Sequence, residues 1–292
     1  MTSPPRWTRG TQRSRPKGLF HRVLRVLRGG ELLAVFLALI AASCAAPLMK
    51  LPGGPGAPAN DAADVFAQAT QACRAVSTVT AEIAVSGSVG GRRLRTRLTA
   101  GLAPPASARI EAAAPFGAPL FVLVATADDA TLLLPHDGRV LQHGRPGAVL
   151  EALAGVPLDM ANLRLALTGC ASAANTAGAQ RLGDDWRLLP EGTNDLYLHY
   201  DKQPGGWRLV AVVHHPPAGA QWRAEYRDFD AGLPRSVRLA GGKDTFDLRL
   251  ALSQVETNIA LGPEVFRVQI PPDADPITLE ELRRARPGVR ED

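Results

Sequence analysis

A mainly β protein of the α+β class, one large antiparallel sheet curved over a few helices, is predicted by three observations. Short runs in which apolar and polar residues alternate recur from Val79 to Leu252, the period of strands with one buried face. Gly90-Gly91, Gly205-Gly206, Gly241-Gly242 and Asp137-Gly138 punctuate those runs, as hairpin turns do. Helical spacing is confined to one stretch before the runs, two in their middle and one at the end. A sheet with one apolar face must bury it, and these helices are placed to cover its concave side. The roughly 230 residues after Asn60 read as one domain, with no internal repeat and no second linker.

Taken in order, Val65, Phe66, Ala69, Ala72, Cys73 and Val76 give one apolar face over residues 61–76, with Asp61 at the N-cap position. Val79, Ala81, Ile83 and Val85 alternate with polar or small residues. Beyond Gly90-Gly91, Leu94 and Leu98 face one way while Arg93, Arg95 and Arg97 face the other. Pro104-Pro105 breaks the chain before Arg109–Ala114, and the apolar run Leu120–Ala125 follows. Ala130–Leu134 and Val140–His143 flank Asp137-Gly138. Pro146 starts a helix through Ala154; Asp159 caps a second through Leu167, which Gly169 ends. Strands then resume at Trp186–Leu188, Leu196–Tyr200, Trp207–Val213, Trp222–Tyr226 and Phe246–Leu252, and Thr278–Arg286 closes the chain as a helix.

The N-terminal region has a different character. Leu32–Ala42 is an apolar core of 11 residues, too short for a spanning helix of about 20 and suited to the core of an export signal. Arginines and Lys17 precede it; Ala41, Ala42, Ser43 and then Cys44 follow. That order resembles a bacterial lipoprotein signal. The resemblance implies that residues 1–43 are removed, that Cys44 carries palmitate-type acyl chains, and that these anchor the protein to a membrane. An ordinary secretory signal cut near Cys44 would instead release the chain. Residues 44–60 are rich in Pro, Gly and Ala and read as a tether ahead of a single domain spanning 61–292.

The formal charge of +5 is misleading. Eight basic residues (Arg6, Arg9, Arg13, Arg15, Lys17, Arg22, Arg25, Arg28) and one acid, Glu31, precede Cys44, leaving 25 basic against 27 acidic residues and a net −2. Nucleic-acid binding needs a basic excess to displace counterions, so that class is set aside. Cys73 and Cys170, 97 positions apart, can form a disulfide in an oxidising compartment; two buried free thiols are the other reading.

Motifs for catalysis are absent. The chain has no Gly-x-Ser-x-Gly elbow, His-Glu-x-x-His, phosphate loop or Cys-x-x-Cys. His214 and His215 point to opposite faces of a strand and cannot easily share a metal; with His199 they give at most a weak zinc signal, and surface histidines are the preferred reading. Asp128-Asp129 and Asp184-Asp185 read as turn residues. The expectation is a protein that is not an enzyme and holds no metal or cofactor.

From Arg109 to Gly169 the chain resembles the LolB family of outer-membrane lipoproteins, which receive lipoproteins from LolA-type periplasmic carriers. The matching residues are Arg109-Ile110, Pro115-Phe116-Gly117, an alternating strand, Gly138-Arg139, Gly155-Val156-Pro157-Leu158 and Asn162-Leu163-Arg164. Val265-Phe266-Arg267 to Pro271-Pro272, with Leu279–Leu282, looks like a wider group of bacterial lipoproteins. The resemblance implies an incomplete antiparallel β-barrel, a half-barrel whose open side is covered by helices around an apolar cavity for acyl chains. Ile83, Val85, Leu94, Leu98, Phe121, Leu123, Trp222, Tyr226, Phe246 and Leu248 are then the expected lining. It also implies a membrane-contact loop at Pro115, Phe116 and Gly117; on its own Phe116 would fold into the core. Ala45 after Cys44 implies sorting to the outer membrane, on its periplasmic face. Lipid or lipoprotein acyl chains, a LolA-type carrier and the membrane are the implied partners. A scaffold lipoprotein that docks an envelope complex is the alternative on the same fold. Leu120, Val122 and Val124 are apolar where alternation asks for polar groups, so a helix, a membrane or a partner is expected on that face.

Overall fold

The alternating runs pair into one antiparallel sheet. The computed structural model describes residues 47–114, 117–171, 176–203, 205–217, 219–242 and 245–285. The chain divides between Leu48 and Met49, and the second unit carries the sheet. Its strands are β1 (Ala57–Pro58), β2 (Val79–Val89), β3 (Arg92–Ala103), β4 (Ser107–Ala112), β5 (Phe121–Ala125), β6 (Ala130–Leu134) and β7 (Arg139–Gly144). After the central helices come β8 (Gln180–Arg181), β9 (Trp186–Glu191), β10 (Asn194–Asp201), β11 (Gly206–His214), β12 (Trp222–Asp230), β13 (Leu233–Gly241), β14 (Phe246–Thr257) and β15 (Asp275–Pro276). The helices are α1 (Ala62–Ala69), α2 (Gln71–Arg74), α3 (Pro146–Ala154), α4 (Met160–Thr168) and α5 (Leu279–Ala285).

Across the sheet the order is β1-β8-β9-β10-β11-β12-β13-β14-β2-β3-β4-β5-β6-β7-β15. Two meanders, β2–β7 and β8–β14, are therefore joined where β14 returns to pair with β2. Every pairing is antiparallel except β7 with β15. The ribbon does not close on itself, which makes it an incomplete barrel. Both margins are two-residue strands that contain a proline, Pro58 and Pro276; short proline-bearing edges offer little to a further strand. Gly90 and Gly91, with φ of 56° and 78°, make the two-residue turn that sets Val89 opposite Arg92.

Helix boundaries follow local chemistry. Pro146 opens α3, and Gly155 at φ 69° ends it in the left-handed region. A Cβ on Gly155 would come within 2.5 Å of Val89 Cγ1, so glycine lets the end of α3 sit directly on β2. Asp159 caps α4 by accepting from Asn162 N at 2.7 Å, and Gly169 at φ 66° terminates it. The single helix expected over 61–76 is broken at Thr70. Its hydroxyl donates to Phe66 O at 2.7 Å, a back-bond that bends helices. Asp61 leaves its capping role and instead takes two bonds from Arg187, at 2.9 and 2.6 Å. That pairing holds the Asp61 carboxyl below the usual carboxylate range. The Arg187 guanidinium also lies over the Trp207 ring at 4.7 Å.

Two expectations are corrected here. Residues 44–60 do not act as a tether throughout, because the chain from Met49 onward belongs to the folded unit. Met49 N donates to Glu225 Oε1 at 2.7 Å, Arg223 donates to Met49 O, and β1 pairs with β8. Pro and Gly remove side-chain packing here but leave carbonyls and some N–H groups for bonding. The second correction concerns Val122 and Val124. Neither a helix nor a partner covers them: Phe266, Val268, Ile270 and Ala274, on the return segment after β14, pack against them together with Leu133 and Val140. Arg109 holds that strap by donating to Val265 O at 3.0 Å and Arg267 O at 2.9 Å. The strap ends in β15 at the sheet margin and in α5, whose Leu282 is fully buried.

Candidate functional site

Inward residues of β2 to β5, β13 and β14 meet α3 and α4 across an apolar cavity of about 140 Å³. The sheet supplies Ile83, Val85, Leu94, Leu98, Ile110, Phe121, Leu123, Leu239, Leu248 and Leu250; the helices and their connection supply Leu150, Leu153, Val156, Leu158, Leu163 and Ala166, among others. Thr96 is the one polar side chain of the wall among the described residues. Leu94, Thr96, Leu98, Leu120 and Ala154 are half-buried while the rest of the named lining is buried, so the space approaches solvent between β3, the start of β5 and the end of α3.

The expected lining residues divide into two groups. Ile83, Val85, Leu94, Leu98, Phe121, Leu123 and Leu248 stand on the cavity wall. Trp222, Tyr226 and Phe246 do not, which corrects that part of the expectation. All three face inward, but their bulk fills the interior solidly elsewhere. Trp222 stacks on His214 with ring centroids 4.9 Å apart. Tyr226 lies under the end of α4, and its hydroxyl donates to Leu165 O at 2.7 Å. Phe246 sits against Gly241, where a Cβ would come within 2.7 Å of its ring. Burial pushes the Tyr226 hydroxyl far up, so it stays a neutral donor.

The two helices over the cavity are held differently. On α4, Asn162-Leu163-Arg164 splits into three jobs. Asn162 Nδ2 donates to Asp159 Oδ2 at 3.0 Å. Leu163 enters the cavity wall. Arg164 donates to Val76 O and Ser77 O, both at 3.1 Å. Just past α4, Cys170 is bonded to Cys73 with the Cα atoms 5.4 Å apart. Asn194 Nδ2 meets Asn162 Oδ1 at 3.4 Å, and Asn194 Oδ1 lies 2.7 Å from His214 Nδ1. His214 is therefore a buried member of a polar chain and not a surface residue; sequence reasoning missed it because nothing local marks a strand end as covered. Burial lowers the His214 imidazole below its ordinary value, opposed in part by Asp159. Helix α3 meets the cavity with Leu150 and Leu153 and rests on apolar packing, with α5 beside it.

Cys44, Pro115 and Phe116 lie outside the described residues. Gly117 is exposed with φ 80°, and Leu120, three positions on, stands at the mouth of the cavity. His215 Nε2 is 2.9 Å from Asp195 Oδ2, and His199 is tilted against Trp186 at 4.5 Å. Among the described residues no cluster of His, Cys, Asp and Glu could hold a metal, and no helix is long and apolar enough to cross a membrane.

No known family model matches the sequence, and no curated protein does. Solved structures similar to this chain include a LolA superfamily protein from Nitrosomonas europaea, with 10% identity over 69% of this chain and 98% of that one and a TM-score of 0.49. A putative outer membrane lipoprotein-sorting protein domain from Vibrio parahaemolyticus follows at 12% identity, 70% and 97% coverage and 0.43. The lipoprotein LppX of Mycobacterium tuberculosis gives 11% identity, 69% and 98% coverage and 0.30. Values this low bear on no individual residue.

Proposed function

We propose that this chain is a non-enzymatic protein of the bacterial envelope that takes acyl chains, of lipids or of lipoproteins, into the cavity between the sheet and α3 and α4. The observation that carries the reading is the wall itself: side chains from six strands and two helices converge on one space with Thr96 as their only polar member among the described residues. Such a wall gains about 25 cal/mol for each Å² of hydrocarbon removed from water. It recognises a chain and ignores the group the chain is attached to.

Volume decides how that binding proceeds. A space of about 140 Å³ is comparable with a roughly 150 Å³ engineered cavity that admits benzene, and it falls short of the ~300 Å³ at the low end of ligand pockets. A whole acyl chain enters only when a helix moves off the sheet. Helix α4 is tied by Tyr226, Arg164 and the disulfide just after it, so α3 is the element that gives way.

The same reading makes residues 1–43 an export signal and Cys44 the acylated anchor, with the protein on the periplasmic face of the outer membrane. The loop at Pro115, Phe116 and Gly117 then touches the membrane, and a LolA-type carrier is the donor. The test is organic extraction and mass spectrometry of protein purified without detergent, paired with uptake of a fluorescent fatty acid. Stoichiometric lipid and saturable uptake are expected; the absence of both would sink the reading. The small volume favours one second reading, a scaffold lipoprotein with a filled interior, for which the same experiment returns no lipid and a co-purifying envelope protein.

A further inference from the structure

We infer that the outer face of β3, β2, β14 and β13 is the surface this protein lays against an anionic phospholipid bilayer. Arg93, Arg95 and Arg97 stand at alternate positions of β3, all exposed and on the side away from the cavity. Their cross-strand neighbours on β2 are Ser88, Ser86 and Ala84, and beyond these on β14 come Asp247, Arg249 and Ala251. Small side chains between the arginines leave a groove of about 770 Å³, with Arg95, Arg97 and Arg249 along it and Ala84, Ser86 and Ala251 on its floor.

Several arginines elsewhere in the fold have carboxylate partners, among them Arg187 with Asp61, Arg235 with Asp230 and Arg238 with Asp247. Arg93, Arg95 and Arg97 have no ion pair among the described residues. Asp247 is taken by Arg238 through two bonds of 2.8 Å, with Arg249 at 3.9 Å. Glu82, opposite Thr99, and Glu256, opposite Thr80, are acids at the far end of this face. A chain whose part after residue 43 carries a net −2 thus concentrates positive charge on one stripe. Exposed guanidinium groups beside small hydroxyl and methyl side chains suit phosphate oxygens, and a plane of headgroups engages several at once.

Two further observations bring the bilayer to this face. Ala113 N donates to Arg97 O at 2.9 Å, so the loop leading to Pro115 and Phe116 departs beside the stripe. On the other side, one cross-strand row runs from Glu225 through Arg238, Arg249 and Ser86 to Arg95, four strand spacings or about 19 Å. Glu225 and Arg223 hold Met49 on that same face. Met49 lies five positions after Cys44, a reach of at most about 18 Å. An acyl anchor at Cys44 keeps Met49, at one end of this face, within that reach of the membrane. That last step rests on the acylation proposed above; the arginine stripe does not.

The test uses the processed protein as recovered from cells, with a fluorophore on Ser86→Cys, mixed with vesicles that carry a headgroup quencher. Vesicles rich in phosphatidylglycerol should quench the probe strongly, and vesicles of phosphatidylcholine alone should not. The triple variant Arg93→Gln, Arg95→Gln, Arg97→Gln should weaken the phosphatidylglycerol-dependent contact roughly hundredfold, while the corresponding Lys triple retains it. About 1 M salt should abolish it in the unsubstituted protein, a measurement that needs no variant. Equal quenching on the two vesicle types, or quenching that survives both substitution and salt, would overturn the inference. Fatty-acid uptake measured on the same samples separates the two proposals, since the triple variant leaves the cavity wall intact.

Discussion

The Tyr226 hydroxyl reaches across from β12 and donates to the Leu165 carbonyl at 2.7 Å, a carbonyl that also accepts from Gly169 N at 2.8 Å. One side chain of the sheet thus pins the last turn of α4. Because Leu165 O keeps its second donor, Tyr226→Phe should cost only about 0.5–1.5 kcal/mol, the net worth of one hydrogen bond. Chemical denaturation of the two proteins gives the figure; a loss several times larger would mean that the hydroxyl holds more than this helix.

The cavity predicts opposite outcomes for two substitutions. Ala166→Leu, on the α4 side of the wall, fills the space and should abolish fatty-acid uptake at a cost of about 1–3 kcal/mol in overpacking. Leu153→Ala, on the α3 side, should lower stability by about 2–5 kcal/mol and raise uptake of short chains. Titration with fluorescent fatty acids of graded length reads both. Uptake that is indifferent to Ala166→Leu would place the binding site elsewhere.

The bond between Cys73 and Cys170 closes 97 positions of chain and joins the end of α2 to the residue just beyond α4. Cys73→Ser with Cys170→Ser should lower stability by about 2–5 kcal/mol. Thermal unfolding with and without reductant checks it: the unsubstituted protein in reductant should match the double variant.

Burial lowers the His214 imidazole below its ordinary value of 6.5. With the native value depressed, stability is fully present above pH 6.5 and declines as pH falls through the native value, because the unfolded chain takes up the proton first. Unfolding midpoints measured downward from pH 7 should show this limb, and His214→Gln should flatten it. An identical profile in the variant would assign the limb to another group.

Much of this architecture was legible in the sequence because it is written locally. Pro146, Asp159, Gly155 and Gly169 mark helix ends through their own backbone and side-chain chemistry, and Gly90-Gly91 fixes a register. Inward-facing residues were legible for the same reason, since alternation assigns faces. Which inward residues border empty space was not. That depends on volumes contributed by chain segments far apart in sequence, and Trp222, Tyr226 and Phe246 fill their regions whereas Leu94 and Leu98 do not. The strap over Val122 and Val124 was half legible. Their hydrophobicity announced a covered face, but Phe266 to Ala274 forms no ladder there and so carries no period to read.

The ribbon's two margins finish on Pro58 and Pro276, residues with no amide hydrogen to lend. A second molecule approaching either border finds too few donors to continue the ladder. Fifteen described strands left unclosed would otherwise invite copies to zip together, so the prolines let the barrel stay open without opening it to its own kind.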